Sequence, residues 1–242
     1  MIGRGIHSGM AATGPHVAKK QIRKREHKRI SKSKSDSPGR RNNPERTKQD
    51  ILTVATKEFA RNGFSGGRVD TIAAKTRTTK RMIYYYFGSK EGLYIAVLEK
   101  VYSGIRAIES QLYLEELGPE EAIRQLIQTT FDYDEEHPDF IRLVSIENIH
   151  RAEHLKKSGV IRELNQAIIG MLSAILQRGR AQGVFRAEID PVDLHMLISA
   201  FCLFRVSNRY TFGTIFRRNF SAPHVRQQHR RIITDAVLRF LR

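Results

Sequence analysis

KRMIYYYFGSKEGLY, residues 80–94, sets three tyrosines and a phenylalanine between cations and then breaks at Gly-Ser. With the helical repeat of about 100° per residue, Ile83 and Phe87 share a face and pack inward. Lys80, Arg81, Tyr84 and Tyr85 are left on or near the outer face, and Tyr86 is the tyrosine best placed to join the core. Just upstream, VDTIAAKT (69–76) reads as another short helix, followed by a tight turn. Short helix, turn, short helix is the helix-turn-helix arrangement, whose second helix enters the DNA major groove. A tyrosine hydroxyl donates to a phosphate oxygen, and its ring packs on a thymine methyl or a sugar. Lys80 and Lys90 flank the rings as phosphate cations, and Ser89 caps the next helix, whose first backbone N–H groups offer a second anion site.

The chain around this stretch is helical in pattern. NPERTKQDILTVATKEFARNGF (43–64) places Ile51, Leu52, Ala55, Phe59 and Ala60 at helical spacing, with Gly63 where a helix stop is expected. Leu93, Ala96, Val97 and Val101 share one face of the helix that begins after Ser89. Pro119, Pro138, Pro191 after Asp190, and Pro223 each mark a helix start. The helices they open read as EEAIRQLIQTTFDYDEEH, DFIRLVSIENIHRAEHL, DPVDLHMLISAFCLFRVSNRYTF and a last helix to about Leu241, with VIRELNQAIIGMLSAILQRGRAQG between the second and third. There is no hairpin signal, and only VFRAEID (184–190) is ambiguous. The expected fold is all-α, in three parts: a basic N-terminal tail (1–44), a three-helix helix-turn-helix domain (45–92) and a larger helical domain (93–242).

Residues 45–101 resemble the DNA-binding domain of the TetR family of bacterial transcriptional regulators. The resemblance is carried by ILTVATKEFARNGF, VDTIAAKT and KRMIYYYFGSKEGLY, the last with the family's Tyr-Tyr-x-Phe-x-x-Lys-x-x-Leu pattern. It implies three-helix DNA binding, a helical ligand-binding and dimerisation domain, and repression relieved by a small organic effector. It implies phosphate contacts for Tyr84 and Lys90, and a recognition-helix face of Lys80, Arg81, Met82 and Tyr85. Arg68, Thr71, Thr79 and Ser89 complete the candidate DNA-contacting set. The chain departs from the family at the turn, where Arg77, Thr78 and Thr79 replace Gly-Val-Ser. Arginine where a left-handed backbone is wanted costs about 1 kcal/mol. Either Arg77 gains a phosphate contact or the turn is altered. IRLVSIENIHR and ISAFCLFRVSNRYTFGTIF are similar to a subgroup of the family that regulates pyrimidine and aromatic-compound catabolism.

Composition agrees with a polyanionic partner. The net charge is +17 and the sequence pI about 10.3. The first 44 residues hold 12 Lys and Arg against Glu26 and Asp36, a surplus of +10 that leaves +7 for the rest. This tail reads as a disordered basic arm adding salt-dependent phosphate contacts, or as a solvated leader without a role. The single cysteine, Cys202, lies in the apolar run LHMLISAFCLF and reads as a buried thiol, so no intramolecular disulfide is expected, which fits the cytoplasm. That run is too short to cross a bilayer, no signal-peptide pattern stands at the N-terminus, and no membrane partner is expected.

Other constellations carry less. Glu147, His150 and His154 stand at spacings of three and four, which suits a divalent metal on one helical face, but Arg151 repels a cation. No metal, cofactor or catalytic site is expected: no nucleophile motif and no phosphate-cradling glycine loop is present. Tyr133, Asn148, His150, Arg205 and Asn208, polar residues in apolar helices, together with Phe131, are the candidate effector pocket. The helices at about 160–182 and 190–212 are apolar over more than one stripe, as a four-helix interface about a two-fold axis requires, and a homodimer would read a palindromic operator. A ligand-responsive repressor, an effector-independent architectural DNA binder and an enzyme on a helical scaffold are the competing functions. A buried polar pocket separates the first two.

Overall fold

The computed structural model describes residues 43–186 and 188–242, so the basic arm lies outside the described residues. Among those, ten α-helices and one 3-10 turn make up the regular structure, with no strand. Helix α1 (Pro44–Gly66) starts where Asn43 Oδ1 accepts from the backbone N–H of Glu45 and Arg46, at 3.1 and 3.2 Å, with Pro44 in the first turn. Its helical dihedrals break at Gly63, with φ 67° and ψ −179°, a conformation that glycine alone adopts easily. Helices α2 (Val69–Thr76), α3 (Lys80–Phe87) and α4 (Lys90–Glu109) complete the head. Ile51, Ala55, Phe59, Ile72, Ile83, Leu93 and Val97 form its sealed core.

The turn between α2 and α3 keeps its left-handed geometry despite the arginine. Arg77 sits at φ 53°, ψ 34°, and the N–H of Thr78 still reaches Ala73 O at 3.1 Å. The arginine is therefore accommodated without rebuilding the turn, and it carries the strain of a Cβ in that region. Arg77→Gly is expected to raise stability by roughly 0.5–1 kcal/mol, less than the full strain because glycine also loosens the unfolded chain. Urea unfolding checks this; an unchanged or lower midpoint would mean the arginine side chain makes a stabilising contact.

The larger domain is built from α5 (Pro119–Glu136), α6 (Pro138–Ile149), α7 (Gly159–Ala181), α8 (Pro191–Ser207), α9 (Arg209–Ile215) and α10 (Pro223–Leu241). Leu126, Ile127, Ile168, Leu172, Ile175, Leu194, Ile198, Ile233 and Val237 form its main core. Two expected helices are shorter than their patterns suggested. The segment from Pro138 turns at Ile149: Arg151 and Ala152 take positive φ, and the N–H of Ala152 returns to Glu147 O at 2.7 Å. The Glu147 carboxylate then accepts from the N–H groups of His154 and Leu155, at 3.2 and 2.9 Å, ahead of a 3-10 turn at Leu155–Lys157. Those N–H groups find a side-chain acceptor instead of continuing the helix. Glu147, His150 and His154 consequently do not share a face; His150 is exposed, while His154 Nδ1 meets Glu147 at 3.1 Å. The segment from Pro191 divides at Asn208 into α8 and α9. VFRAEID forms no strand among the described residues.

The two parts of the described body are stitched together near the start of α4. Leu143 of α6 and Ile161 of α7 lie in the head's own core. Tyr94 packs edge-on to Phe59 and against His154, with ring centroids 5.0 and 4.8 Å apart, and Phe64 lies 4.3 Å from His154. Helix α4 therefore belongs to both parts, and whatever moves the larger domain against it moves the head.

Candidate nucleic-acid interface

Helix α3 begins with Thr79, whose Oγ1 accepts from the N–H of Met82 at 3.2 Å. That cap and the fully buried Ile83 fix the helix's rotation, so its opposite face is presented outward. Lys80, Arg81, Tyr84 and Tyr85 are exposed, Tyr85 at 78%. The Tyr85 ring is therefore not part of the head's core. Met82 is half-buried, and Tyr86 packs partly buried against the head's core. Lys80 Nζ pairs with Asp70, both exposed, at 3.2 Å; so open a pair is weak and a phosphate can displace it.

The flanking groups are held differently. Lys90 Nζ donates to Ser65 O at 3.2 Å and lies 5.0 Å from the Phe64 ring centroid, so its ammonium is pre-positioned. Ser89 Oγ accepts from the N–H of Gly92 at 2.9 Å, which caps α4. Glu91 in that first turn is ion-paired with Lys157, and the bond holds its carboxyl below the usual range. Arg68 is exposed at the start of α2, and Thr71 is half-buried one turn later. Glu58, which the sequence did not single out, supports this end. It is buried and accepts from Asn62 Nδ2 at 2.9 Å and from the Arg68 N–H at 3.3 Å. A glutamate on an amphipathic helix gives no sequence signal that it turns inward.

The six candidate effector residues separate into groups. The Arg205 guanidinium stands 4.5 Å from the Phe131 ring centroid, and Arg205 and Asn208 line one cavity of about 190 Å3 between α8, α9 and α10. Tyr133 lies elsewhere: its hydroxyl donates to Val101 O at 3.3 Å, and its ring stacks on His137 at 3.9 Å. Asn148 is exposed and donates to Val144 O, and His150 is exposed at the end of α6. The α6 pair faces solvent because the helix stops there and its last turn has nothing packed over it. The cavity's other walls, Phe201, Phe204, Arg209, Phe212, Phe220, His229 and Ile232, were not singled out in the sequence. A second, wider cleft of about 700 Å3 opens between Tyr102, Ser158, Ile161, Asn165 and Val192.

A buried polar group lies deeper, between α4, α5 and α8. Arg106 and Glu109 pair at 2.6 Å. Burial outweighs that arginine and pushes the Glu109 carboxyl up to about 7. Asp134 is also raised to about 7, by burial and then by Glu109. His195 is lowered to about 4, by burial and then by Arg106. Burial pushes the Cys202 thiol up, which leaves it an inert core group.

Comparison with known proteins places both parts. Residues 51–97 match the family described as bacterial regulatory proteins, tetR family. Residues 119–237 match the tetracyclin repressor-like, C-terminal domain family. The chain is 37% identical over 198 residues to the HTH-type transcriptional repressor NicS of Pseudomonas putida, covering 82% of this chain and 93% of that one. It is 30% identical over 155 residues to the HTH-type transcriptional regulator RutR of Escherichia coli, covering 63% and 70%. Among solved structures, the transcriptional regulator SCO4942 of Streptomyces coelicolor superposes with a TM-score of 0.63 at 28% identity, covering 81% of this chain and 98% of that one.

Proposed function

The chain belongs to the TetR family and is a DNA-binding transcriptional regulator, not an enzyme; from that premise we propose that it is a homodimeric repressor released from a palindromic operator by a small organic effector. The observation that carries the reading is the outer face of α3, where two tyrosines and two cations are exposed on a helix whose rotation is fixed by a cap and a buried isoleucine. Its relatives are named as repressors and regulators of the same type, which supports repression as the direction of control. Work on an operator puts the protein in the cytoplasm.

What the larger domain leaves uncovered supports a dimer. Val192, Met196 and Phe204 on α8 are exposed, as are Ile232 and Phe240 on α10. Val192 and Met196 stand one helical turn apart with Phe204 about two turns further on, Ile232 and Phe240 stand about two turns apart, and pairing the two helices with a partner's copies would give a four-helix interface about a two-fold axis. The sequence pointed to α7 and α8. Helix α7 places Ile168, Leu172, Ile175 and Leu176 in the chain's own core, so the reading proposed here pairs α8 with α10. The cavity beside Arg205 favours effector control over a purely architectural role.

Mobility-shift titration against DNA upstream of the protein's own gene tests the reading. Arg81, near the start of α3, is placed for guanine O6 and N7, so Arg81→Ala should cost roughly 1–3 kcal/mol at the operator and far less on random DNA. Tyr84→Ala and Lys90→Ala should weaken binding to all sequences alike, and Lys90→Ala should flatten the salt dependence by about one unit of slope. A uniform loss for Arg81→Ala would reassign that side chain to the backbone. Failure of the intact protein to bind any such DNA would overturn the repressor reading.

A further inference from the structure

Four arginines converge where α5, α8, α9 and α10 meet, and among the described residues two carboxylates pair with them. Arg205 and Arg209 share Glu135, the Arg209 contact at 3.1 Å. Arg226 and Arg230 share Asp132, at 3.9 and 2.7 Å. Four cations against two acids leave two positive charges in a partly dry region. The polar nitrogens are also incompletely used: Arg209 Nη2, Arg226 Nε and Arg230 Nε, all donors, and His229 Nδ1, a donor in one tautomer, are buried without a hydrogen-bond partner among the described residues. Buried donors left empty are costly, and an anion is the ligand that satisfies them. Two of them, on Arg209 and on the nine-tenths buried His229, belong to residues that line the 190 Å3 cavity.

Most of the cavity's remaining surface is aromatic, with Asn208 and Ile232 beside the rings. Phe204 and Phe212 meet edge-on at 4.9 Å, Phe212 and Phe220 at 6.2 Å, and Phe220 tilts over His229 at 5.6 Å. Rings so arranged present faces and edges to a further ring. The volume is below that of a drug-sized pocket and suits one substituted ring. We propose that this cavity is the effector site and that its ligand is a single-ring aromatic carboxylate, the ring held among Phe201, Phe204, Phe212 and Phe220 and the carboxylate against Arg209 and His229. Burial, and then the charges of Arg205 and Arg218, hold the His229 imidazole below its ordinary range. This proposal rests on the repressor reading above and names the chemistry that releases it.

The position also supplies a route to the DNA. Phe204 and Ile232 are at once cavity walls and members of the exposed stripes assigned to the dimer face. A ligand that shifts them changes how α8 and α10 meet their partners, and with that the separation of the two α3 helices. A ligand acts on an equilibrium only through such differential contacts.

Isothermal calorimetry on the full chain without DNA tests the site directly, with benzoate, neutral benzamide and non-aromatic acetate as probes. Benzoate should bind saturably with Kd below about 1 mM, and benzamide and acetate at least about tenfold more weakly. Arg209→Gln and, separately, Phe212→Leu should each weaken benzoate by about tenfold or more. Phe212 lies on the short outer helix α9, so its variant keeps the test sound if the arginine change unfolds the chain. In a mobility shift, benzoate should release operator from the intact protein and not from either variant. Benzamide binding as tightly as benzoate, no saturable benzoate binding, binding indifferent to both substitutions, or a dimer structure with the partner's side chain filling the cavity would each overturn the site. Loss of DNA binding in the absence of any ligand would instead count against the repressor reading, so the two failures are distinguishable.

Discussion

Glu147→Ala is expected to destabilise the protein by about 2–4 kcal/mol, because it strips the acceptor from three donors, two of them buried and one part-buried. The carboxylate is 2% exposed and receives the N–H of His154, the N–H of Leu155 and the His154 ring. Tyr94 lies beside it; burial first, and then the Glu147 charge, push its hydroxyl pKa up. The geometry gives that hydroxyl no hydrogen bond, so Glu147 acts on it as a neighbouring charge rather than as an acceptor. Removing the carboxylate leaves two main-chain N–H groups without an acceptor and frees the His154 ring that packs against Phe64 and Tyr94. The loss falls on the seam between head and larger domain, so operator affinity should drop with stability. Glu147→Gln, which keeps an acceptor oxygen, should recover part of the loss. Urea unfolding measures both variants, and a cost below about 1 kcal/mol for the alanine would show that water or a backbone shift replaces the carboxylate.

That seam also marks where sequence reasoning gives out. The head was legible because its determinants are local: the Ile51–Ala60 spacing, the Ser89 cap and the glycines at 63 and 88 each act within a few residues. The Glu147–His154 contact was not, because a spacing of seven looks like one helical face until the helix is known to stop at Ile149. What stops it is a side chain bonding to main-chain groups seven and eight residues ahead, which no periodicity records. The effector candidates divide along the same line. Arg205 and Asn208 stand out as polar residues in an apolar helix, and they line a cavity. Asn148 and His150 give the same signal, yet they are exposed, because pattern alone cannot say whether a helix's last turn is covered. The acids that matter there, Asp132 and Glu135, sit in the run DYDEEH, where composition gives each carboxylate the same weight.

Asp134, from that same run, carries the other large effect. It is buried between α4, α5 and α8, makes no hydrogen bond among the described residues, and has its carboxyl raised to about 7 by burial and by Glu109. In the unfolded chain an aspartate releases its proton near pH 4. Between about pH 4 and pH 7 the folded state therefore holds a proton that the unfolded state has lost. Stability falls as pH rises through that window and levels off above it. Asp134→Asn removes the penalty. At pH 8 the variant should be more stable than the parent by on the order of 3 kcal/mol, and near pH 4, where both side chains are neutral when folded, the two should nearly coincide. Glu109, raised to about 7 in the same way, should leave the variant with a residual decline over the same window. Thermal melts of both proteins from pH 4 to pH 8 read the difference directly. A constant gap across that range would mean that asparagine acts through packing, and a variant less stable at pH 8 would mean that the Asp134 anion has a favourable partner in the folded protein.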